Sequence, residues 1–245
     1  MIYRLLGPLE VARGPATSDV IDLGPRKQRT VLAVLLLNRG RVVSTDRLID
    51  ALWHDDAPAS AMASIQAYIS NLRRALRVET GTASPIVRQS PGYVLEVAPA
   101  DVDLSVFLDD AETARQHAEN ERWQEALTTA DRALASVRGQ LLDDLNDAHW
   151  VEVEAAAFEE VRTECRETRI TALLALGRLA PALVEAAQLC GEYPFRDRTC
   201  WLRMVALHRA GRSPEALEQF RLHASRLDAE LGLEPGGELT ALQGA

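Results

Sequence analysis

A 34-residue internal repeat in the second half of the chain constrains its fold more than any other feature. Arg162 recurs as Arg196, Arg169 as Arg203, Ala172-Leu173 as Ala206-Leu207, Gly177-Arg178 as Gly211-Arg212, and Ala182-Leu183 as Ala216-Leu217. A period of about 34 residues is that of tetratricopeptide arrays, in which each unit is a helical hairpin whose apolar face only the next unit covers. The Gly in each copy suits a left-handed helix stop, and the small Ala residues let two helices approach closely. A weaker copy, Arg122-Trp-Gln-Glu-Ala126-Leu127, stands 56 residues before Arg178, so an insertion separates it from the others. The pattern is helical almost throughout from Val102 onward. The expectation is stacked helical hairpins, with each Ala-Leu pair facing inward.

The first 98 residues are patterned differently. Ile2–Leu6, Leu9–Ala12 and Val20–Leu23 read as short strands, with the turn pair Gly7-Pro8 between the first two. Pro25 suits a first helical position, and a helix follows over Arg26–Asn38, stopped by Gly40. Val42-Val43 is a short strand, and Ser44 or Thr45 caps a helix through Trp53. A further helix runs over about Ala59–Leu76, where Ile65, Ile69, Leu72 and Leu76 form one buried stripe. Ile86–Gln89 and Tyr93–Val97 flank Ser90-Pro91-Gly92, which predicts a hairpin closed by a type II turn. Two helices followed by a β-hairpin, behind a leading sheet, is the order of an OmpR/PhoB-type winged helix-turn-helix.

The expected fold is thus mainly α with a small β component. A winged helix over 1–98 precedes an all-α tetratricopeptide-like domain over 99–245, and 245 residues suffice for two domains. Apolar residues at 47% and charged residues at 26% supply both with cores and argue against general disorder. The net charge of −9 is unevenly spread: 1–98 carries 12 basic and nine acidic residues, 99–245 carries 15 and 27. A protein that coats nucleic acid indiscriminately is excluded, whereas a mildly basic domain docking one face on DNA is not. No apolar run approaches the roughly 20 residues of a membrane span, and the N-terminus lacks the features of a signal peptide. Cys165, Cys190 and Cys200 are scattered and odd in number, which predicts reduced core thiols in a cytoplasmic protein.

Several stretches resemble the Streptomyces antibiotic regulatory protein family. They are Leu6–Val11, Gly24–Arg29, Arg41–Trp53, Tyr68–Leu76, Pro91–Tyr93 and Glu230–Leu239, and the resemblance covers essentially the whole chain. It implies a DNA-binding winged helix joined to a bacterial transcriptional activation domain of tetratricopeptide-like helices. It further implies a transcriptional activator of a secondary-metabolite gene cluster. Such an activator binds direct repeats near the promoter −35 region and recruits RNA polymerase holoenzyme through sigma factor and core subunits, with protomer–protomer contact on the DNA. A place at the nucleoid follows. Some members continue into nucleotide-binding or sensor domains, so a shortened form of a longer regulator is compatible with the end at Ala245.

On the Ala59–Leu76 helix, Ala63, Ser64, Ala67, Ser70, Asn71 and Arg74 lie opposite the apolar stripe. Asn can bridge the N6/N7 edge of adenine, Ser can bond several bases, and an Ala methyl can meet a thymine methyl. The resemblance to OmpR-like recognition helices puts Asn71 at a base-reading position. Arg73 and Arg74, near the helix end, suit phosphates. The competing reading is a solvated polar face. Arg88 beside the hairpin turn has two readings: insertion into a narrow A·T-rich minor groove, as in similar winged helices, or a cross-strand ion pair with Glu96. Arg26, Lys27 and Arg29 crowd a helix start, where cations oppose the helix dipole. A phosphate, an acidic polymerase surface or plain solvent could each satisfy them.

The five histidines show no ligand spacing, and no P-loop, dinucleotide or nucleophile-elbow motif occurs, so neither metal, cofactor nor enzyme activity is expected. The four tryptophans fall in helical apolar patterns and read as core. The alternative to a DNA-binding activator is a helical scaffold whose winged domain binds protein.

Overall fold

A computed structural model describes residues 1–14, 19–77, 84–145 and 149–243. The chain divides into two compact units, one of residues 1–108 with 136–158 and one of residues 109–135 with 159–245.

In the first unit, β1 (Ile2–Arg4) and β2 (Glu10–Ala12) pair antiparallel, with Tyr3 opposite Val11. α1 (Arg26–Leu37) is buried along an unbroken apolar run from Val31 to Leu36 and packs on α2, α3 and β5. Each Val and Leu of that run stabilises the fold by about 1.5–3 kcal/mol on burial, and contact with both α2 and α3 makes α1 the central helix of the unit. β3 (Val43–Ser44) leads into α2 (Thr45–Trp53), where the Ser44 hydroxyl accepts from the Arg47 amide as the helix N-cap. α3 (Ala61–Ala75) buries Ile65, Ile69 and Leu72 as the spacing predicts, and its cap residue Leu76 is buried as well. β4 (Ile86–Gln89) and β5 (Gly92–Leu95) form the hairpin, with β3 on the other side of β5.

Four local expectations need correction. The Ser90–Pro91 peptide is cis and Gly92 does not have a positive φ, so the hairpin turn is not type II. Gly92 is instead the first residue of β5, and close approach explains the residue type: a Cβ there would lie 1.8 Å from the Val43 carbonyl oxygen. The run at Val20 makes a single bridge to Ala12 rather than a strand, and β5 ends at Leu95 rather than Val97. Pro25 is the residue before α1 rather than its first turn.

The stretch from Leu5 to Glu10 has backbone groups that the two-stranded sheet leaves unpaired, and later residues of the same unit take them up. The Asp103 carboxylate accepts from the amides of Leu5 at 2.7 Å and Leu6 at 3.1 Å, and Asp144 accepts from Leu9 at 2.7 Å. The amides of Arg138 and Leu142 donate to the Leu6 and Leu5 carbonyls at 2.7 and 2.8 Å. Leu141, Leu142, Leu145 and Val151 are buried, and Phe107 meets Phe158 edge-on at 5.2 Å. Burial raises the Asp103 pKa, while its three backbone hydrogen bonds pull it back down.

The second unit contains α5 (Trp123–Ala135), α7 (Leu179–Glu192), α8 (Asp197–Arg209), α9 (Ser213–Leu231) and α10 (Gly237–Gln243). α4 (Asp103–Glu119) and α6 (His149–Ala175) each contribute residues to both units. The repeat appears as the same turn three times. Gly177 and Gly211 have φ of 71° and 75°, and the amides of Arg178 and Arg212 bond the carbonyls of Leu173 and Leu207 at 2.8 and 2.9 Å. Arg122 bonds His117 in the same way at 2.9 Å, but Glu121, with φ of 57°, stands where the other copies have Gly. Ala126, Ala172, Ala182 and Ala206 are all fully buried. Leu183 is half-buried and Leu217 is 39% exposed, so the Leu of the Ala-Leu pair does not face inward in the last copy. Cys165, Cys190 and Cys200 are free and buried.

Candidate nucleic-acid interface

α3 presents Ala63, Ala67, Ser70, Asn71 and Arg74 to solvent on the side opposite its buried stripe. Gln66, absent from the row expected from sequence, lies on the same exposed face, and its amide can read adenine as Asn does. Ser64 is half-buried and its hydroxyl donates to the Ser60 carbonyl at 3.1 Å, so its hydrogen is committed within the helix. Asn71 donates from Nδ2 to Gln28 Oε1 at 3.1 Å. Gln28 is buried in α1 and donates in turn to the Leu23 carbonyl at 2.8 Å. Asn71 is therefore oriented from behind, with Oδ1 left to accept.

The two arginines at the end of α3 differ. Arg74 is exposed. Arg73 is half-buried, donates from Nε to the Ile86 carbonyl at 3.0 Å and lies over the Tyr93 ring at 5.9 Å, which ties the helix to the hairpin. Arg88 stacks on the same ring at 5.5 Å and donates to the Tyr93 hydroxyl at 3.1 Å. Tyr93 is buried and lies near two guanidinium groups, one from α3 and one from β4, which links the hairpin to the helix. Among the described residues Arg88 makes no ion pair with Glu96.

The cluster at the start of α1 is not a uniform patch. Arg29 is half-buried, paired with Asp144 and bonded to the Leu9 carbonyl at 3.1 Å. Lys27 holds its ammonium 4.5 Å above the Trp53 ring, so that tryptophan carries a cation on its face. Arg26 is exposed. No described helix is long and apolar enough to cross a membrane.

A winged helix with one exposed polar helix face beside a hairpin that carries Arg88 has the build of the helix-turn-helix class. A model of the C-terminal domain of transcriptional regulatory proteins matches residues 19–95, and a model of the bacterial transcriptional activator domain matches residues 102–245. The regulatory protein DnrI of Streptomyces peucetius is 36% identical over 251 residues, spanning all of this chain and 91% of that protein. The transcriptional regulator RedD of Streptomyces coelicolor is 36% identical, covering 97% of this chain and 70% of its own length. The transcriptional regulatory protein EmbR of Mycobacterium tuberculosis is 34% identical over 98% of this chain, which spans 61% of EmbR. The solved structure of that EmbR with a low-affinity phosphopeptide superposes with a TM-score of 0.94 at 33% identity, covering 99% of this chain and 64% of that one. The chain belongs to the Streptomyces antibiotic regulatory protein family of transcriptional activators.

Proposed function

We propose that this activator binds double-stranded promoter DNA sequence-specifically through α3, with Arg88 on the hairpin entering the adjacent minor groove. The observation that carries the reading is the exposed row Ala63, Gln66, Ala67, Ser70, Asn71 and Arg74 on a helix fixed to the hairpin by Arg73 and Tyr93. Asn71, Gln66 and Ser70 supply base-edge hydrogen bonds, Ala67 offers a methyl to thymine, and Arg74 with the Arg73 Nη groups meets phosphate. Ser64 helps position the helix on the groove. Arg26 and Lys27 are the members of the α1 cluster that face a partner, DNA phosphate or an acidic polymerase surface. Arg29 is held inside its own unit by Asp144 and serves it structurally.

On this reading DNA recognition falls to 1–98 and activation to 99–245, which presents helical-repeat surfaces to RNA polymerase holoenzyme and to a neighbouring protomer on direct repeats near −35. The excess of acidic residues in 99–245 would keep that portion off the phosphates. The target is a secondary-metabolite gene cluster and the location is the cytoplasmic nucleoid. A gel-shift titration on candidate promoters of secondary-metabolite gene clusters tests the first step, with salt varied. Cognate binding should exceed random-sequence binding by at least about 10³ at physiological salt and weaken log-linearly with salt. Equal affinity for both DNAs, or none, would favour a winged domain that binds protein. In vitro transcription at saturating occupancy tests recruitment.

A further inference from the structure

The repeat gives this protein an internal comparison. In the first copy, Arg166 and Arg169 of α6 face Glu185 and Glu192 of α7: Arg169 pairs with Glu185, Arg166 pairs with Glu192, and Arg166 also reaches Glu185 at 3.8 Å. Arg169 has a further carboxylate in Asp131 at 2.5 Å. Two guanidinium groups are matched there by three carboxylates.

Moving 34 residues along the chain replaces Arg166 by Cys200, keeps Arg169 as Arg203, and replaces Glu185 by Gln219 and Glu192 by Arg226. The 56-residue offset of the weak copy replaces Asp131 by Ala187. Every carboxylate of the first site is lost, one becomes a cation, and the inherited Arg203 stays. Among the described residues no carboxylate lies within 4 Å of Arg203, which is half-buried. Its charge acts at longer range on the Cys200 thiol and on Glu215, whose main partner is Arg212. Among the described residues Arg226 pairs only with Glu230 on its own helix, at 3.9 Å, and is half-exposed.

A cleft lies at these positions. Arg203, Gln219 and Arg226 line a cavity of about 250 Å³ with Leu222, Pro194 and Cys190. Gln219 donates to the Cys190 sulfur at 3.4 Å and is buried, so its amide is anchored at the cleft floor. His223, at the same wall, is engaged by Asp197 at 2.6 Å and does not pair with the arginines. A guanidinium held half-buried without a carboxylate is an unmet demand for an anion, because its five donors suit planar oxyanions. Two cations over one small cavity with an apolar Leu–Pro side define the ligand class.

We propose that the cleft between α7, α8 and α9 binds a small organic anion, carboxylate or phosphate, of only a few heavy atoms beyond its charged group. The anion bridges Arg203 and Arg226, and its apolar part lies against Leu222 and Pro194. The site is independent of the DNA-reading face and of the reading given to it above.

The test uses the full chain and two probes, succinate and inorganic phosphate, titrated by calorimetry against chloride at matched ionic strength. Saturable binding with one site per chain is expected for at least one probe, and the probe that binds tells carboxylate from phosphate. Two variants rebuild the first copy's chemistry. Gln219→Glu gives Arg203 an internal carboxylate, and Arg226→Glu reverses the second charge; each should weaken binding by at least about tenfold while leaving the far-ultraviolet circular dichroism unchanged. Arg203→Gln should do the same. No saturable binding of either probe up to about 50 mM would overturn the proposal, as would binding that all three variants leave intact. Should Gln219→Glu fail to fold, Arg226→Glu on the exposed rim decides alone.

Discussion

Asn71 on the outer face of α3 donates its side-chain amide to Gln28 of α1, a residue buried beneath it. The candidate base-reading residue is thus steered by the core rather than left to choose its rotamer. Preorganisation of this kind lowers the entropic cost of a specific contact. It also gives Asn71 two roles that experiment can separate.

Asn71→Ala should cost about 1–3 kcal/mol on cognate DNA through the lost base contact and about 0.5–1.5 kcal/mol of stability through the lost Gln28 bond. Random-sequence DNA should be bound nearly as before. Parallel titrations on both DNAs, with urea unfolding alongside, measure the two terms. A loss of the same size on both DNAs would reduce Asn71 to a strut between α3 and α1.

Arg88→Ala should weaken binding most where the minor groove facing the hairpin is A·T-rich, since that groove focuses negative potential. Binding arrays that vary only the flanking sequence read this out directly. Tyr93→Phe is the companion change. It removes the hydroxyl that Arg88 bonds at 3.1 Å while keeping the ring beneath it, so it should give a smaller loss in the same direction.

Glu121 occupies a left-handed position that its two repeat counterparts fill with Gly. A residue with a Cβ is disfavoured there by about 1–2 kcal/mol, offset in part by the greater freedom of Gly when unfolded. Glu121→Gly should therefore stabilise the helical unit by about 0.5–1 kcal/mol in chemical denaturation. Gly177→Ala should destabilise it by about as much. A destabilised Glu121→Gly would show that the glutamate side chain does something its exposure conceals.

Cys165 and Cys200 are pushed up to about 12 by burial from an ordinary thiol value of 9. The folded chain holds these protons more tightly than the unfolded chain. The linked stability is complete below pH 9 and is lost as pH rises from 9 towards 12. Thermal unfolding between pH 8 and pH 11 should show that decline, and it should flatten in a Cys165→Ala, Cys200→Ala double variant. The native thiols should also resist alkylation at pH 8. Rapid labelling of both would contradict their burial.

Asp103→Ala and Asp144→Ala each leave backbone amides of the Leu5–Leu9 stretch without an acceptor. Each should cost about 1.5–3 kcal/mol, the range for hydrogen bonds to a charged group. A 1–98 fragment lacks both carboxylates and should unfold at lower denaturant than the full chain, with its leading sheet exchanging amide protons first. Hydrogen exchange on Leu5, Leu6 and Leu9 checks this. Equal protection in fragment and full chain would show that those carboxylates are dispensable.

Local chemistry made much of this legible in the residues alone. Ser44 as a cap, the stripe Ile65, Ile69, Leu72, Leu76, and the Gly-Arg turns all act over a few residues, so their spacing carries the information. What local spacing does not carry depends on distant partners. Nothing around Arg29 signals that Asp144 will meet it, and nothing around Arg73 signals that the Ile86 carbonyl and the Tyr93 ring of the hairpin will hold it. The Pro-Gly pair at 91–92 misleads for the same reason. Gly92 answers to the Val43 carbonyl of another strand rather than to a turn. Gln66 is longer than the other polar residues of this face of α3, and its exposure is what marks it.

The two compact units interleave along the chain: 1–108, then 109–135, then 136–158, then the remainder. No single cut releases either one whole. A recombination event near residue 98 would hand a new helical portion to a head whose Leu5, Leu6 and Leu9 amides depend on Asp103 and Asp144, both beyond the cut. Shuffling heads among relatives is thereby penalised unless the recipient keeps carboxylates at both places. If the outer face of α3 reads bases as proposed, operator preference is free to drift by point changes there, Gln66 and Ser70 among them, where no core contact resists the substitution.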